Sequence, residues 1–118
     1  MTARETASLL RRLLRGECQD RATSDAVLAV LEQCQDATML RRYLPSAARV
    51  AHKTGTLDAS RNDAGIVYGE RAVVVAGFTG KLRDTGTGVS WLGLLGWCAY
   101  RAAGNPAAPL PPELARGA

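Results

Sequence analysis

The stretch RVAHKTGTLDASRNDAGIVYG (49–69) sets a cation, a hydroxyl and a glycine in succession as Lys53-Thr54-Gly55, followed by Thr56. On a strand that lines a cleft, these four residues have complementary uses. The Lys53 ammonium attracts a carboxylate and holds the local potential positive, so that a neighbouring hydroxyl or amine loses its proton more easily. Thr54 offers a hydroxyl that donates to a carboxylate oxygen. Gly55 has no side chain, so a ligand can lie directly against the backbone. The Thr56 amide is a suitable oxyanion-hole donor for acyl transfer. Read alone, such a tripeptide arises by chance in many sequences and is no more than a turn between strands; its weight comes from the elements around it.

Those elements are legible from periodicity. Thr2-Ala3-Arg4-Glu5 spells a capping box. Behind it Ala3, Thr6, Leu9, Leu10, Leu13 and Leu14 share one helical face, and Gly16 supplies a stop. A second helix is expected from Thr23 or Ser24, with Val27, Leu28, Val30, Leu31 and Cys34 inward. A short third helix is expected after Asp36, with Met39, Leu40, Tyr43 and Leu44 inward and Pro45 ending it.

The period then changes to two. Residues 49–56 read as a strand with Val50, His52 and Thr54 on one face and Ala51, Lys53 and Gly55 on the other. GIVYG (65–69) and AVVVAGFTG (72–80) read as two more strands joined as an antiparallel hairpin. A Gly-rich turn (80–88) leads to a last helix at about 89–102. The expected class is α+β: three helices, a three-stranded antiparallel sheet, then a C-terminal helix. Residues 1–103 form one domain and 104–118, rich in proline and alanine, a disordered tail. Three strands leave both sheet edges unpaired, and one edge is expected to need covering.

The order and content of these segments resemble the class A serine β-lactamases and their penicillin-binding-protein relatives. LPSAARVAHKTGTLDASRNDAGIVYGERAVVVAGFTG (44–80) is similar to the segment that carries the family's K-T-G motif. TARETASLLRRLLRG resembles the helix that follows the family's omega loop, and GLLGWCAYRA its C-terminal helix. The resemblance implies roles for five residues. Lys53 would be the electrostatic and proton-relay lysine, Thr54 would bind the substrate carboxylate against Gly55, and Thr56 would give an oxyanion N–H. Arg61, placed in the loop before Gly65, is the nearest candidate for a carboxylate-binding arginine. The implied substrate is a β-lactam or a peptidoglycan-like small molecule, and the implied location is outside the cytoplasmic membrane. No cofactor or metal is implied.

The family's nucleophile lies in S-x-x-K, and the only lysines, Lys53 and Lys81, follow Val50 and Phe78 by three residues. Ser24-Asp25 begins an S-D-N motif, but Ala26 stands in place of asparagine and the segment reads as a helix N-cap. Glu5 belongs to the capping box, and no counterpart of the omega-loop glutamate is present. The resemblance therefore covers the C-terminal part of such a domain, one wall without nucleophile or general base, inactive alone. A split domain completed by its N-terminal half, a truncated reading frame, part of a D-Ala-D-Ala peptidase and a non-catalytic interaction module all remain open.

Other residues carry less. His52 reads as a structural histidine, Asp58 and Asp63 as residues of a solvated loop that Asn62 and Asp63 tie. Gly77, Gly80, Gly86 and Gly88 lack the lysine of a phosphate loop, and Trp91 and Trp97 read as helix packing. Cys18, Cys34 and Cys98 read as buried free thiols, with a Cys18–Cys34 bridge possible, and too few ligands exist for structural zinc. The net charge of +4 is spread rather than gathered with aromatics into a stripe, which disfavours nucleic acid. MTARETASLL lacks an export signal's apolar run. The longest apolar stretch, 89–100, falls short of the roughly 20 residues needed to span a bilayer.

Overall fold

Thr2 opens the first helix, α1 (Ala3–Leu14), through the expected capping box: its hydroxyl accepts the Glu5 N–H at 3.1 Å, and its own N–H donates to Glu5 Oε1 at 2.9 Å. The carbonyls at the end of α1 are met by Arg21, whose guanidinium donates to Leu14 O and Arg15 O at 3.1 and 2.7 Å. Arg21 itself begins α2 (Arg21–Leu31), capped by Asp20, which accepts the Thr23 N–H at 2.7 Å. The cap is thus Asp20 rather than Thr23 or Ser24. Ser24 lies inside α2, fully buried, and exchanges hydrogen bonds with the Cys18 backbone at 3.0 and 3.1 Å.

The computed structural model describes residues 1–105 and 109–115 of the chain. The expected third helix is absent from it. Asp36 does cap, accepting from the Thr38 N–H and hydroxyl at 2.9 and 2.6 Å. Beyond it the backbone makes only three-residue turns, Arg42 N–H to Met39 O and Leu44 N–H to Arg41 O. Pro45 leaves too little chain to wind further, and the Arg41 guanidinium folds back onto Ser46 O and Ala48 O instead. Met39 and Leu40 are nevertheless buried, as expected of the inward face.

Three strands follow: β1 (Val50–Leu57), β2 (Ser60–Tyr68) and β3 (Ala72–Phe78), an antiparallel meander in the order β1-β2-β3. Leu57 pairs with Ser60, so Asp58 and Ala59 alone make the first turn, and β2 begins five residues earlier than its apolar run suggested. The last long helix, α3 (Thr85–Ala102), starts earlier than expected because Asp84 caps it, accepting the Gly86 N–H at 2.9 Å. The class stands as read: helices, a three-stranded antiparallel sheet, then a helix.

Each face of the sheet is covered. Ala51, Ala64 and Ile66 meet Leu10 and Leu13 of α1 and Leu28 of α2. On the other face Val50, Val67 and Val75 meet Leu40 and, from the α3 side, Ala99 and Ala103. Gly96 lets α3 approach, since a Cβ there would lie 2.0 Å from Leu40 O. Leu9, assigned to the inner face of α1, is partly exposed.

The 104–118 tail falls partly on 106–108 and 116–118, outside the described residues. Of the rest, Pro112–Ala115 forms one helical turn, α4. Trp97 Nε1–H donates to Pro109 O at 2.7 Å, and the Tyr43 hydroxyl meets the Glu113 carboxylate.

Candidate active site

The site follows from how β1 leaves the core. Val50, Ala51 and His52 are buried, and from Lys53 the strand emerges. Lys53, Gly55 and Thr56 are exposed and Thr54 is half-buried. Because β1 is an edge strand, one side of this segment carries no neighbouring strand among the described residues. Lys53 folds along that segment, its Nζ donating to Thr54 O at 2.6 Å.

Arg61 is a strand residue, not a loop residue. It lies on β2 directly opposite Thr56. Its Nη1 donates to Leu57 O and Ser60 O at 2.6 and 2.9 Å, closing the hairpin turn. Its N–H donates to the Thr79 hydroxyl at 2.8 Å, which in turn donates to Arg61 O at 2.6 Å. A shallow cavity of about 860 Å³ runs along this end, lined by Thr56, Leu57, Ser60, Arg61, Thr79 and Lys81 among others. The structure thus brings Thr56 and Arg61 together, while strand alternation sets Lys53 on the other face of β1 from Thr54 and Thr56.

Behind the strand lies a network that sequence reasoning missed. Asp63, expected in a solvated loop, is 1 % exposed and sits on β2 opposite Thr54, diagonally from His52 on the same face of the sheet. His52 Nδ1 lies 3.0 and 3.1 Å from the two Asp63 carboxylate oxygens, with both side chains removed from solvent. Asp63 Oδ2 also accepts the Leu40 N–H at 3.1 Å, which ties the 36–44 segment to the strand. His52 Nε2 is buried and has no hydrogen-bond partner among the described residues. Gly65, opposite His52, makes the packing possible, because a Cβ there would meet Ala51 O at 2.3 Å and His52 Cβ at 2.5 Å.

Asp36 stands near this pair. Partial burial pushes its carboxyl up, but the Thr38 hydroxyl and amide, the Thr54 hydroxyl and the His52 imidazole together hold it below the usual carboxylate range. The sequence did contain a signal for Asp63: it is in phase with Gly65 and Val67 at period two. The polar run from Asp58 to Asp63 masked that alternation.

The three cysteines are free, Cys18 and Cys34 half-buried and Cys98 exposed, so they are not the buried thiols expected. Among the described residues no group of three or more His, Cys, Asp or Glu side chains is placed to hold a metal ion, and no helix is long and apolar enough to cross a membrane.

A sequence profile described as the beta-lactamase enzyme family matches residues 1–103. Among solved structures, the chain is similar to a beta-lactamase from Sphaerobacter thermophilus, with 32% identity and a TM-score of 0.76 over 91% of this chain and 40% of that one. It is similar also to a beta-lactamase from Chitinophaga pinensis, with 27% identity and a TM-score of 0.72 over 83% of this chain and 40% of that one. A third structure, PBP-A as an acyl-enzyme complex with penicillin-G, shares the fold at 24% identity and a TM-score of 0.76, over 87% of this chain and 40% of that one. No curated protein matches. The chain therefore spans about 40% of the length of the solved relatives it matches.

Proposed function

The chain belongs to the beta-lactamase enzyme family, and we propose that it supplies the lysine-bearing wall of an acyl-transfer cleft whose nucleophile lies outside its 118 residues. The observation that carries this reading is the abrupt emergence of β1 at Lys53, which leaves Lys53-Thr54-Gly55-Thr56 along a strand edge open to a ligand. A β-lactam or a peptidoglycan-like acyl group would lie along that edge, close to Gly55.

In the complete cleft a serine hydroxyl would attack the ligand's carbonyl carbon. Negative charge would develop on the carbonyl oxygen, to which the Thr56 N–H would donate as one oxyanion-hole hydrogen bond. The C–N bond would break, the leaving nitrogen taking a proton through a relay that Lys53 holds electrostatically. Water would then cleave the acyl ester and restore the serine. Thr54 would hold the ligand's carboxylate, with the Arg61 guanidinium adding positive potential from the neighbouring strand. An arrangement of this kind supplies charge stabilisation without bond-making, so the isolated chain is inactive.

The test is a nitrocefin assay. The chain alone is expected to show no turnover, and mixing with a polypeptide that carries the S-x-x-K and S-D-N segments restores it. Lys53→Ala in that mixture is expected to remove at least about 100-fold of the rate, the scale of one electrostatic or proton-transfer contribution. Turnover by the chain alone, or restored turnover indifferent to Lys53→Ala, would sink the reading. A second reading, a non-catalytic interaction module, is favoured by one observation: both sheet faces are already closed by this chain's own helices and loops.

A further inference from the structure

The family profile ends at residue 103, and part of what lies beyond it is bound back onto the body of the chain. Residues 109–115 read Pro-Leu-Pro-Pro-Glu-Leu-Ala, with three prolines in the first four positions. Such a segment is stiff before it docks, so holding it in place costs little conformational entropy. It meets the body at three separate points. Pro109 O accepts the Trp97 indole N–H at 2.7 Å. The Pro111 side chain is fully buried. The Glu113 carboxylate accepts the Tyr43 hydroxyl, and that hydrogen bond, with the Arg42 charge and the Ser90 hydroxyl, holds the carboxyl below its usual range.

The groove beneath is built by two elements far apart in the chain. Ser90, Gly93 and Trp97 recur at spacings of three and four, which sets them along one face of α3. Gly93 is where the other wall approaches, since a Cβ there would lie 2.7 Å from the Tyr43 ring. Each aromatic ring carries a guanidinium over one face, Arg101 at 5.2 Å from the centre of Trp97 and Arg42 at 5.7 Å from that of Tyr43. A cavity of about 240 Å³ lies between residues 42–45 and 109–112. Aromatic walls with a polar donor at one end are how grooves take preformed proline-rich segments.

What the segment covers bears on β1. Residues 39–45 make only three-residue turns, so they have little hydrogen bonding of their own to hold them. Yet Leu40 N–H donates to Asp63 Oδ2, behind the strand that bears Lys53. Tyr43, three residues further on, is the residue that Glu113 grips. We propose that the Tyr43–Trp97 groove is a recognition site for a P-x-P-x-E segment, occupied in cis by Pro109, Pro111 and Glu113. The first position supplies a carbonyl to the indole, the third fills the buried slot, and the fifth brings the charge. The occupied groove clamps 39–45 against α3 and so keeps Leu40 on Asp63. The proposal is independent of the acyl-transfer reading, since it uses none of Lys53, Thr54, Thr56 or Arg61.

Hydrogen exchange at the two indoles reads the groove directly, with Trp91, 47% exposed, as the internal reference. In the full chain the Trp97 indole N–H is expected to exchange at least about tenfold more slowly than that of Trp91, the scale of one retained hydrogen bond. Pro111→Gly with Glu113→Ala empties the groove. The Trp97 rate should then rise to that of Trp91, and the Leu40 amide should exchange at least about tenfold faster. A peptide of sequence PLPPELA, blocked at both ends, should restore both rates when added to that variant. The same peptide with its glutamate replaced by alanine should need at least about tenfold more to do so. Should the double variant fail to fold, Tyr43→Phe, which removes one half-buried hydroxyl, takes its place and should speed up the Trp97 indole and the Leu40 amide together. A Trp97 indole that exchanges as fast as that of Trp91 in the unmodified chain overturns the proposal. So does a Leu40 amide that ignores loss of the segment, and so does a peptide that leaves the rates of the emptied groove unchanged.

Discussion

At β1 the outward carbonyl of Thr54 receives the Lys53 ammonium and the Arg61 guanidinium closes the turn at Leu57 O, whereas at β3 seven apolar residues run along the sheet's other edge. The two strands belong to one sheet and differ in what stands behind them. β1 is held from within by His52 and Asp63, which leaves its second half free to present polar groups outward. β3 is held by Val74 and Val75, which pack on opposite faces, and it carries no charged side chain. A polar edge suits a small ligand that must come and go. An apolar edge suits a permanent neighbour.

The comparison breaks most completely at Gly65. Gly65→Val would put a side chain within 2.3 Å of Ala51 O, and nothing but separation of β1 from β2 relieves that clash. The variant is expected to lose more than about 4 kcal/mol and with it cooperative unfolding in urea. A normal urea transition would show that β1 is not rigidly held.

Asp63→Ala is the sharper probe, because it strips the His52 imidazole and the Leu40 N–H of their shared partner while leaving the strand pairing intact. A loss of about 3 kcal/mol is expected from two buried donors left unsatisfied. Hydrogen exchange should speed up along 50–57 and not along 72–78. Equal acceleration at both edges would mean that the two strands are not held independently.

The smallest effect is expected from Thr2→Ala. It removes the hydroxyl that caps α1, for about 1 kcal/mol by the usual worth of an N-cap. Because α1 packs on β3, the loosening should appear at 72–78 rather than at the lysine edge. Amide exchange read residue by residue separates the two.

The elements legible in the sequence are those whose cause is local. Thr2 and Glu5 announce α1 within four residues, and the apolar run at 72–78 announces a strand by composition. The family resemblance likewise rests on contiguous residues. What stayed hidden depends on partners distant in the chain. Asp63 has the look of a loop residue until His52, eleven positions earlier, is folded across from it, and Arg61 does until its strand pairs with Thr56. The segment after Asp36 carries a cap and an inward apolar set but no room to complete a helix before Pro45, so pattern and length point in different directions. The candidate site was therefore readable as a motif, and the buried pair that supports its strand was not.

The meander order has a kinetic consequence. Each ladder closes across two or three residues, Asp58-Ala59 in one case and Gly69-Glu70-Arg71 in the other, so the sheet is assembled from neighbours in the chain. Hairpins of that kind close in about 1–10 μs. Docking α1 onto β3, by contrast, must join residues nearly sixty or more positions apart, with the corresponding loop-closure entropy. The sheet is thus positioned to form early and the helices to arrive late. During that interval the β3 edge and both apolar faces stand open to any other chain that is folding nearby.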